Sequence, residues 1–284
     1  MIRTRFAPSP TGPLHLGHAY SAILAHDFAK ARGGEFLVRI EDLDQSRSRS
    51  EWEIKIFDDL KWLGLSWITP IIRQSQRASS YEIAINKLSE KDLLYPCKCS
   101  RKDVRDAVTA PQTEFKIIEG PDGLIYPGTC KYQKYSNENV AENALRLDMN
   151  KASSRCITIN NQNIKMNGSR ENKNIIKTSQ FIENIGDIVL SRKSMEVAYH
   201  LAVVVDDEAQ GVSHVVRGLD LKPATNIHVL LQNLLGYSSP YYLHHKLIKD
   251  GTGKRLAKRD DAKSISKFRE QGAKPADIRA MVGL

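Results

Sequence analysis

The sequence predicts an α/β fold with a parallel sheet, on three observations. A short β-like run, Arg3-Thr4-Arg5-Phe6, passes through Pro and Gly punctuation into a helical pattern. Helical and extended patterns then alternate from the first residues onward, which calls for crossover connections and parallel strands. Apolar runs end in clustered acids, and ligands bind beyond the carboxyl ends of strands in open sheets of this kind.

The first unit reads strand, turn, helix. Residues 19–32 place Ala22, Ile23, Leu24 and Phe28 near helical spacing, and Gly33-Gly34 ends the pattern. A helix start behind a strand is a natural phosphate site, because free N–H groups and the positive helix end face the anion. His15 and His18 can donate hydrogen bonds there, and Gly17 lets a nucleotide ring lie against the backbone. Taken alone, His15-Leu16-Gly17-His18 reads equally well as a plain connection.

Phe36-Leu37-Val38-Arg39-Ile40 reads as a buried strand that delivers Glu41, Asp42 and Asp44 at its end. A carboxylate there can hold an ammonium group; Asp42 and Asp44 also suit a solvated acidic turn. Residues 50–63 carry the apolar stripe Ile56, Phe57, Leu60 and Leu63, stopped by Gly64, and a further helix is expected near 79–91.

Cys97-Lys98-Cys99 and, later, Tyr126-Pro127-Gly128-Thr129-Cys130 offer three thiols and a phenol. They read as metal ligands or as reduced structural cysteines. Cys156 reads as an ordinary free thiol. Residues 150–177 are rich in Asn, Lys and Ser and read as a surface loop or hairpin.

Pattern resumes at Phe181. The run 201–205 reads as a buried parallel strand with Asp206 and Asp207 at its carboxyl end. Residues 212–218 form a second strand ending in Arg217. An amphipathic helix over 224–235, closed by Gly236, a strand over 241–248 and a tight turn at 249–254 follow. That turn presents Arg255-Leu256-Ala257-Lys258-Arg259, which alone would be a solvated basic loop. Two short helical segments finish the chain.

Composition is that of a globular protein of 284 residues. The apolar run 201–205 is too short to span a bilayer and no leader-like segment precedes the first strand, so a cytoplasmic protein without membrane contact is expected. Four cysteines in no even framework suit a reducing compartment. The net charge of +9 suits a polyanionic partner.

Arg5-Phe6-Ala7-Pro8-Ser9-Pro10-Thr11-Gly12, followed by His15-Leu16-Gly17-His18, strongly resembles the ATP signature of class I aminoacyl-tRNA synthetases, in the form used by the glutamate branch. Arg39-Ile40-Glu41-Asp42-Leu43-Asp44 and the segments 187–207 and 212–218 resemble the same branch, with His200 where the family often has Gln. Arg255-Leu256-Ala257-Lys258-Arg259 resembles the second signature of the class, with Ala257 where Ser is usual. Cys-x-Cys followed by Tyr-x-x-x-Cys looks like the zinc-binding insertion of a truncated paralogue family, the glutamyl-Q branch. About 25 residues follow Arg259, too few for an anticodon-binding domain, which fits that branch.

The resemblance implies a Rossmann-type catalytic core whose halves are residues 1–94 and 181–284, split by an inserted zinc-containing subdomain at 95–180. It implies catalysis by His15, His18 and Lys258, and ATP binding by these with Gly17. Glutamate falls to Arg5, Phe6, Ala7, Pro8, Ser9, Glu41, Tyr199 and Arg217. One structural Zn²⁺ would be held by Cys97, Cys99, Tyr126 and Cys130, and Mg²⁺ would accompany ATP. The implied reaction is tRNA-independent activation of glutamate, with transfer to queuosine at the wobble position of tRNA(Asp), whose anticodon arm would lie on basic surface. A monomer is expected. Two other readings stay open at this point: a minimal glutamyl-tRNA synthetase core that charges a tRNA 3′ end, and an inactive core kept as an RNA-binding module.

Overall fold

β1 (Arg3–Phe6) leads through the Pro-rich turn to α1 (Leu16–Lys30), which starts one turn earlier than the apolar spacing from Ala19 suggests, because His15 caps it. β2 (Glu35–Ile40), α2 (Ser50–Trp62), β3 (Ile68–Arg73) and α3 (Ala78–Glu90) follow. β2 pairs in parallel with both β1 and β3, setting Arg5 opposite Leu37 and Arg39 opposite Ile72. The computed structural model describes residues 1–109, 119–132, 143–155, 159–165, 169, 174–193, 196–249 and 263–284.

The middle of the chain builds a second, antiparallel layer. Its elements are β4 (Leu94–Cys97), α4 (Arg101–Thr109), β5 (Glu119–Gly120), β6 (Gly123–Leu124), β7 (Ala144–Leu147) and α5 (Met149–Ser154). β8 (Ile159–Asn161), β9 (Asn174–Ile176), α6 (Thr178–Asn184) and β10 (Val189–Ser191) complete it. β10, β7 and β4 form one sheet in that order, and β8 pairs with β9 as a hairpin. The Asn-rich stretch is therefore a hairpin in part, but it is not all surface. Asn163 and Ile164 are buried.

The last part contains α7 (Tyr199–Ala209), β11 (His214–Gly218), α8 (Thr225–Leu235), β12 (Tyr241–His245), α9 (Ile265–Glu270) and α10 (Pro275–Val282). The Val run is thus a helix, α7, and not the strand its composition suggests. The physical reason is burial on all sides. His200, Asp206 and Asp207 are as buried as the valines, so no polar face marks the helical period. Tyr242 donates its N–H to the Gln162 carbonyl at 2.8 Å and accepts from Ile164 N–H at 2.9 Å, so residues 162–164 extend the sheet beside β12.

β11 and β12 pair in parallel, and Ser213, just before β11, donates its N–H to the Arg3 carbonyl at 3.0 Å. The strand run β3-β2-β1 therefore continues into β11-β12, and the order in which the chain adds strands reverses between β1 and β11. Alternation along the strands divides two cores. Phe36, Val38, Val216 and Leu243 face α1, α2, α9 and α10, whereas Leu37, Val215 and Tyr242 face α3, α7 and α8. Both sheet faces are covered, which is why the strands read as unbroken apolar runs. Among the described residues no helix is long and apolar enough to cross a membrane.

Candidate active site and metal centre

A cavity of about 330 Å³ opens beyond the carboxyl ends of β1 and β11, at the switch point where open α/β sheets place ligands. Arg5, Phe6 and Ala7 line it from β1, Arg217 and Gly218 from β11, Glu41 from β2, Tyr199 from α7, and His15, Gly17 and His18 from α1. Pro8 and Ser9 do not line it. The Pro8 carbonyl accepts the Glu41 N–H at 3.0 Å and so fixes that acid, while the Ser9 carbonyl accepts the Thr11 N–H at 2.9 Å. A larger cavity of about 1100 Å³ adjoins, sharing Tyr199, Asp220 and Leu221.

The start of α1 is built for an anion. Nδ1 of His15 accepts the Gly17 N–H at 3.1 Å, and Nδ1 of His18 accepts the His15 N–H at 3.2 Å. Acceptance at Nδ1 makes Nε2 the nitrogen that carries hydrogen on both rings, so both can donate to a ligand. The rings stack at 3.7 Å, and the first turn of α1 contains no acid to compete with an incoming anion. A Cβ on Gly17 would lie 3.0 Å from Cε1 of His15. A side chain there would press on the His15 ring and narrow access to the helix start.

A buried ionic network backs Arg5 and Glu41. Arg39 is fully buried; its Nη1 donates to Asp207 at 2.8 Å and to Gln210 at 2.9 Å, and its Nη2 lies 3.6 Å from Glu41. Arg5 donates through Nε to Asp207 at 3.1 Å. Asp206 accepts from Gln74 at 2.9 Å, Tyr81 at 2.9 Å and Arg77 at 2.5 Å. Burial pushes the Asp207 carboxyl up, but Arg5 and Arg39 outweigh it and hold the group below the usual carboxylate range. Burial wins at Glu41, whose carboxyl is raised despite Arg39 and Arg5. An ammonium ion beside Glu41 would restore its charged form.

Arg217 is held differently. Its Nη1 donates to Nδ1 of His228 at 2.9 Å, its Nη2 to Thr225 at 2.7 Å and its Nε to His244 at 3.4 Å. Every one of these partners is neutral. Burial lowers its basicity, and among the described residues no carboxylate ion-pairs with it. Burial and then Arg217 push His228 well below the ordinary histidine value, and burial takes His244 to about 3. Burial also raises the Tyr199 phenol, keeping it a neutral donor.

Lys258 and the rest of the second signature lie outside the described residues. The described residues on either side are placed at α1. Lys246, Leu247 and Ile248 line the cavity, Ser264 bridges to His15, and Ile265 donates its N–H to the Leu14 carbonyl at 2.9 Å.

The thiol cluster is a separate centre. Cys97, Cys99 and Cys130 bring their sulfurs within 4.8 Å of one another, and this cluster can hold a metal ion. Tyr126 Oη lies 3.4 Å from both Cys97 and Cys99 Sγ, and Cys99 and Cys130 Sγ are 3.6 Å apart. The Cys130 N–H donates to the same phenol oxygen at 2.8 Å. Tetrahedral zinc bonds of about 2.3 Å to sulfur and 2.0 Å to oxygen require S···S near 3.8 Å and S···O near 3.5 Å, so the donor set fits. Burial pushes the Cys99 thiol up to about 11, and burial likewise raises the Tyr126 phenol. At Cys130 burial is outweighed by hydrogen bonds from Tyr126 and the Lys98 backbone, and the thiol is lowered. Arg146 Nε donates to Cys97 Sγ at 3.2 Å, with its guanidinium 3.8 Å from the Tyr126 ring centre, so it offsets thiolate charge.

Sequence reasoning missed the partners that hold the two cavity arginines: Asp207 as the anchor of Arg5, and His228, Thr225 and His244 around Arg217. A signal existed for His228, a histidine on the apolar face of α8. The sequence pattern puts Asp207 at the end of a strand, whereas it lies on α7.

The family model described as the catalytic domain of class I tRNA synthetases (E and Q) matches residues 1–284. The glutamyl-Q tRNA(Asp) synthetase of Rhodobacter capsulatus is 50% identical over 283 residues, covering 99% of each chain. That of Nocardia farcinica is 38% identical over 98% of this chain and 82% of its own. A glutamate-tRNA synthetase structure from Elizabethkingia anophelis superposes with a TM-score of 0.77 at 25% identity, over 99% of this chain and 61% of the other. A glutamate tRNA ligase from Elizabethkingia meningosepticum, in complex with its amino acid, gives 0.75 at 26% identity, over 99% and 60%. This chain therefore spans about 60% of the solved relatives' length. By its cavity, its thiol centre and these likenesses over its whole length, the chain belongs to the class I glutamyl and glutaminyl tRNA synthetase family, and within it to the glutamyl-Q tRNA(Asp) synthetases.

Proposed function

We propose that the 330 Å³ cavity joins glutamate to AMP and that the glutamyl group then passes to queuosine at the wobble position of tRNA(Asp). The observation that carries this reading is Arg217, a buried guanidinium with neutral partners, set in the same cavity as the burial-raised Glu41. A cation and an anion so placed match the carboxylate and ammonium of an amino acid, and Arg5 in the same cavity supplies a second cation for a second carboxylate. Arg217 and Arg5 take the two carboxylates, and a guanidinium rejects the amide of glutamine because it offers no acceptor to the amide N–H. Glu41 takes the α-ammonium, Tyr199 adds a hydrogen bond, and Phe6 and Ala7 shape the wall, while Pro8 acts from behind it by holding the Glu41 N–H.

In the activation step an α-carboxylate oxygen attacks the α-phosphorus of ATP and pyrophosphate leaves, so no covalent enzyme nucleophile is needed. His15 and His18 donate through Nε2, and the α1 start with open access at Gly17 holds phosphate charge as it shifts. Lys258 adds a positive charge to the leaving group. Mg²⁺ bound with ATP supplies counter-charge to the pyrophosphate. Zinc, held by Cys97, Cys99, Cys130 and Tyr126, is structural and closes the segment 95–180, which we assign as an insertion between catalytic halves 1–94 and 181–284.

Glutamate-dependent ATP–pyrophosphate exchange, run with and without tRNA, tests activation. The expected result is exchange in both; its absence overturns the reading and favours an RNA-binding module. Transfer to queuosine-containing and queuosine-free tRNA(Asp) tests the acceptor. Attachment to the queuosine-free form would instead favour a minimal synthetase charging a 3′ end. Metal analysis of purified protein is expected to give about one zinc per chain, and less than about half would overturn the ligand set.

A further inference from the structure

Arg217 is the end of a chain of side chains that leaves its own strand. Because a guanidinium can only donate, His228 must accept at Nδ1, 2.9 Å away. Its hydrogen is then on Nε2, which lies 3.0 Å from Nδ1 of His200. His200 must therefore accept at Nδ1 and carry its hydrogen on Nε2, which faces Oδ1 of Asp122 at 3.4 Å. One forced choice at Arg217 fixes both imidazole tautomers and points the last N–H at a carboxylate. Asp122 sits in the turn between β5 and β6, on the wall of the larger cavity.

We propose that His228 and His200 are positioning residues that hold the Arg217 guanidinium in the plane that pairs with a ligand carboxylate, and that Asp122 anchors this relay from outside the cavity. Three physical points support the assignment. Both imidazoles are buried, so no water competes for their lone pairs. A doubly protonated His228 would place a positive charge against Arg217, so the relay works only with neutral rings. The guanidinium is rigid and planar, so its plane is set jointly by three contacts, and the His228 contact at 2.9 Å is much shorter than the one to His244 at 3.4 Å and complements Thr225 at 2.7 Å. The proposal rests on the reading that Arg217 binds a glutamate carboxylate.

The test is pyrophosphate exchange on the full chain with KM for glutamate and for ATP measured separately. Asp122→Ala and His200→Leu are expected to raise the glutamate KM about 10-fold, with ATP KM and kcat little changed, which is the effect of losing one hydrogen bond to a charged group. His200→Gln is expected to restore most of the loss, because its amide oxygen accepts from His228 while its NH₂ faces Asp122. Imidazole ¹H–¹⁵N correlation spectra are expected to show His200 and His228 as Nε2–H tautomers, which a purely packing role would not require. An unchanged glutamate KM in Asp122→Ala, or an Nδ1–H tautomer at His228, overturns the relay. Arg217→Met separates the two readings. If it leaves the glutamate KM unchanged, the glutamate site falls and the relay falls with it; if it abolishes glutamate use while the relay variants behave as wild type, only the relay falls.

Discussion

Arg39 and Arg217 are both buried guanidiniums within one active-site region, and they differ in what surrounds them. Arg39 lies among Asp206, Asp207 and Glu41, and these acids outweigh the burial that would otherwise lower its basicity. Arg217 has two imidazoles and a hydroxyl, and burial lowers it. A buried charge with its counter-charge present is structure. A buried charge held by neutral groups is preorganised for an anion that arrives later. Arg5 stands between the two: it lines the cavity but is already paired with Asp207 at 3.1 Å. This favours Arg217 as the residue that reads the ligand's extra carboxylate.

Four substitutions would break or sharpen this contrast. The largest effect is expected from Arg39→Met, which leaves Asp206 and Asp207 short of a counter-charge. A stability loss of about 3–5 kcal/mol by urea unfolding is expected, and a loss under about 1 would mean the network is not structural. Next comes Arg217→Met. Its stability should stay within about 2 kcal/mol of the parent, since the donor lost to His228 Nδ1 is offset by removal of a buried cation held by neutral groups. Its glutamate-dependent exchange should fall on the order of 10²–10³. Equal stability losses in the two variants would erase the distinction.

The smallest effect concerns pH, where Asp207 and Glu41 should act in opposite directions. The lowered Asp207 contributes stability that is present above the unfolded carboxyl value of about 3.9 and lost as pH falls through its folded value. The raised Glu41 contributes stability that is present below about 4.3 and lost as pH rises through its folded value. Glu41→Gln should therefore gain stability near neutral pH, a gain that shrinks on acidification, whereas Asp207→Asn should lose stability near neutral pH. Urea midpoints between pH 3.5 and 7 check both signs.

How much of this was legible depends on distance along the chain. His15, Gly17 and His18 act within one turn, and their contacts with each other follow from sequence neighbours. The Cys-x-Cys and Tyr-x-x-x-Cys fragments announced donors, but only folding brought Tyr126 Oη to 3.4 Å from Cys97 and Cys99. The Val run misled because α7 buries its polar residues along with its apolar ones, which removes the alternation that tells helix from strand. The Asn-rich stretch hid Ile164, a single apolar residue that packs into the core beside α1.

By itself the chain determined the strand–turn–helix start, the parallel α/β class, the two arginines and the acid after β2, because each rests on residues close together and on the period of burial. Only the tertiary structure decided which arginine is already neutralised, since Arg5 meets Asp207 across 202 positions and Arg217 meets His228 from a different element. Charge pairing in a buried site depends on through-space distance and lost hydration, and neither is written in the order of residues.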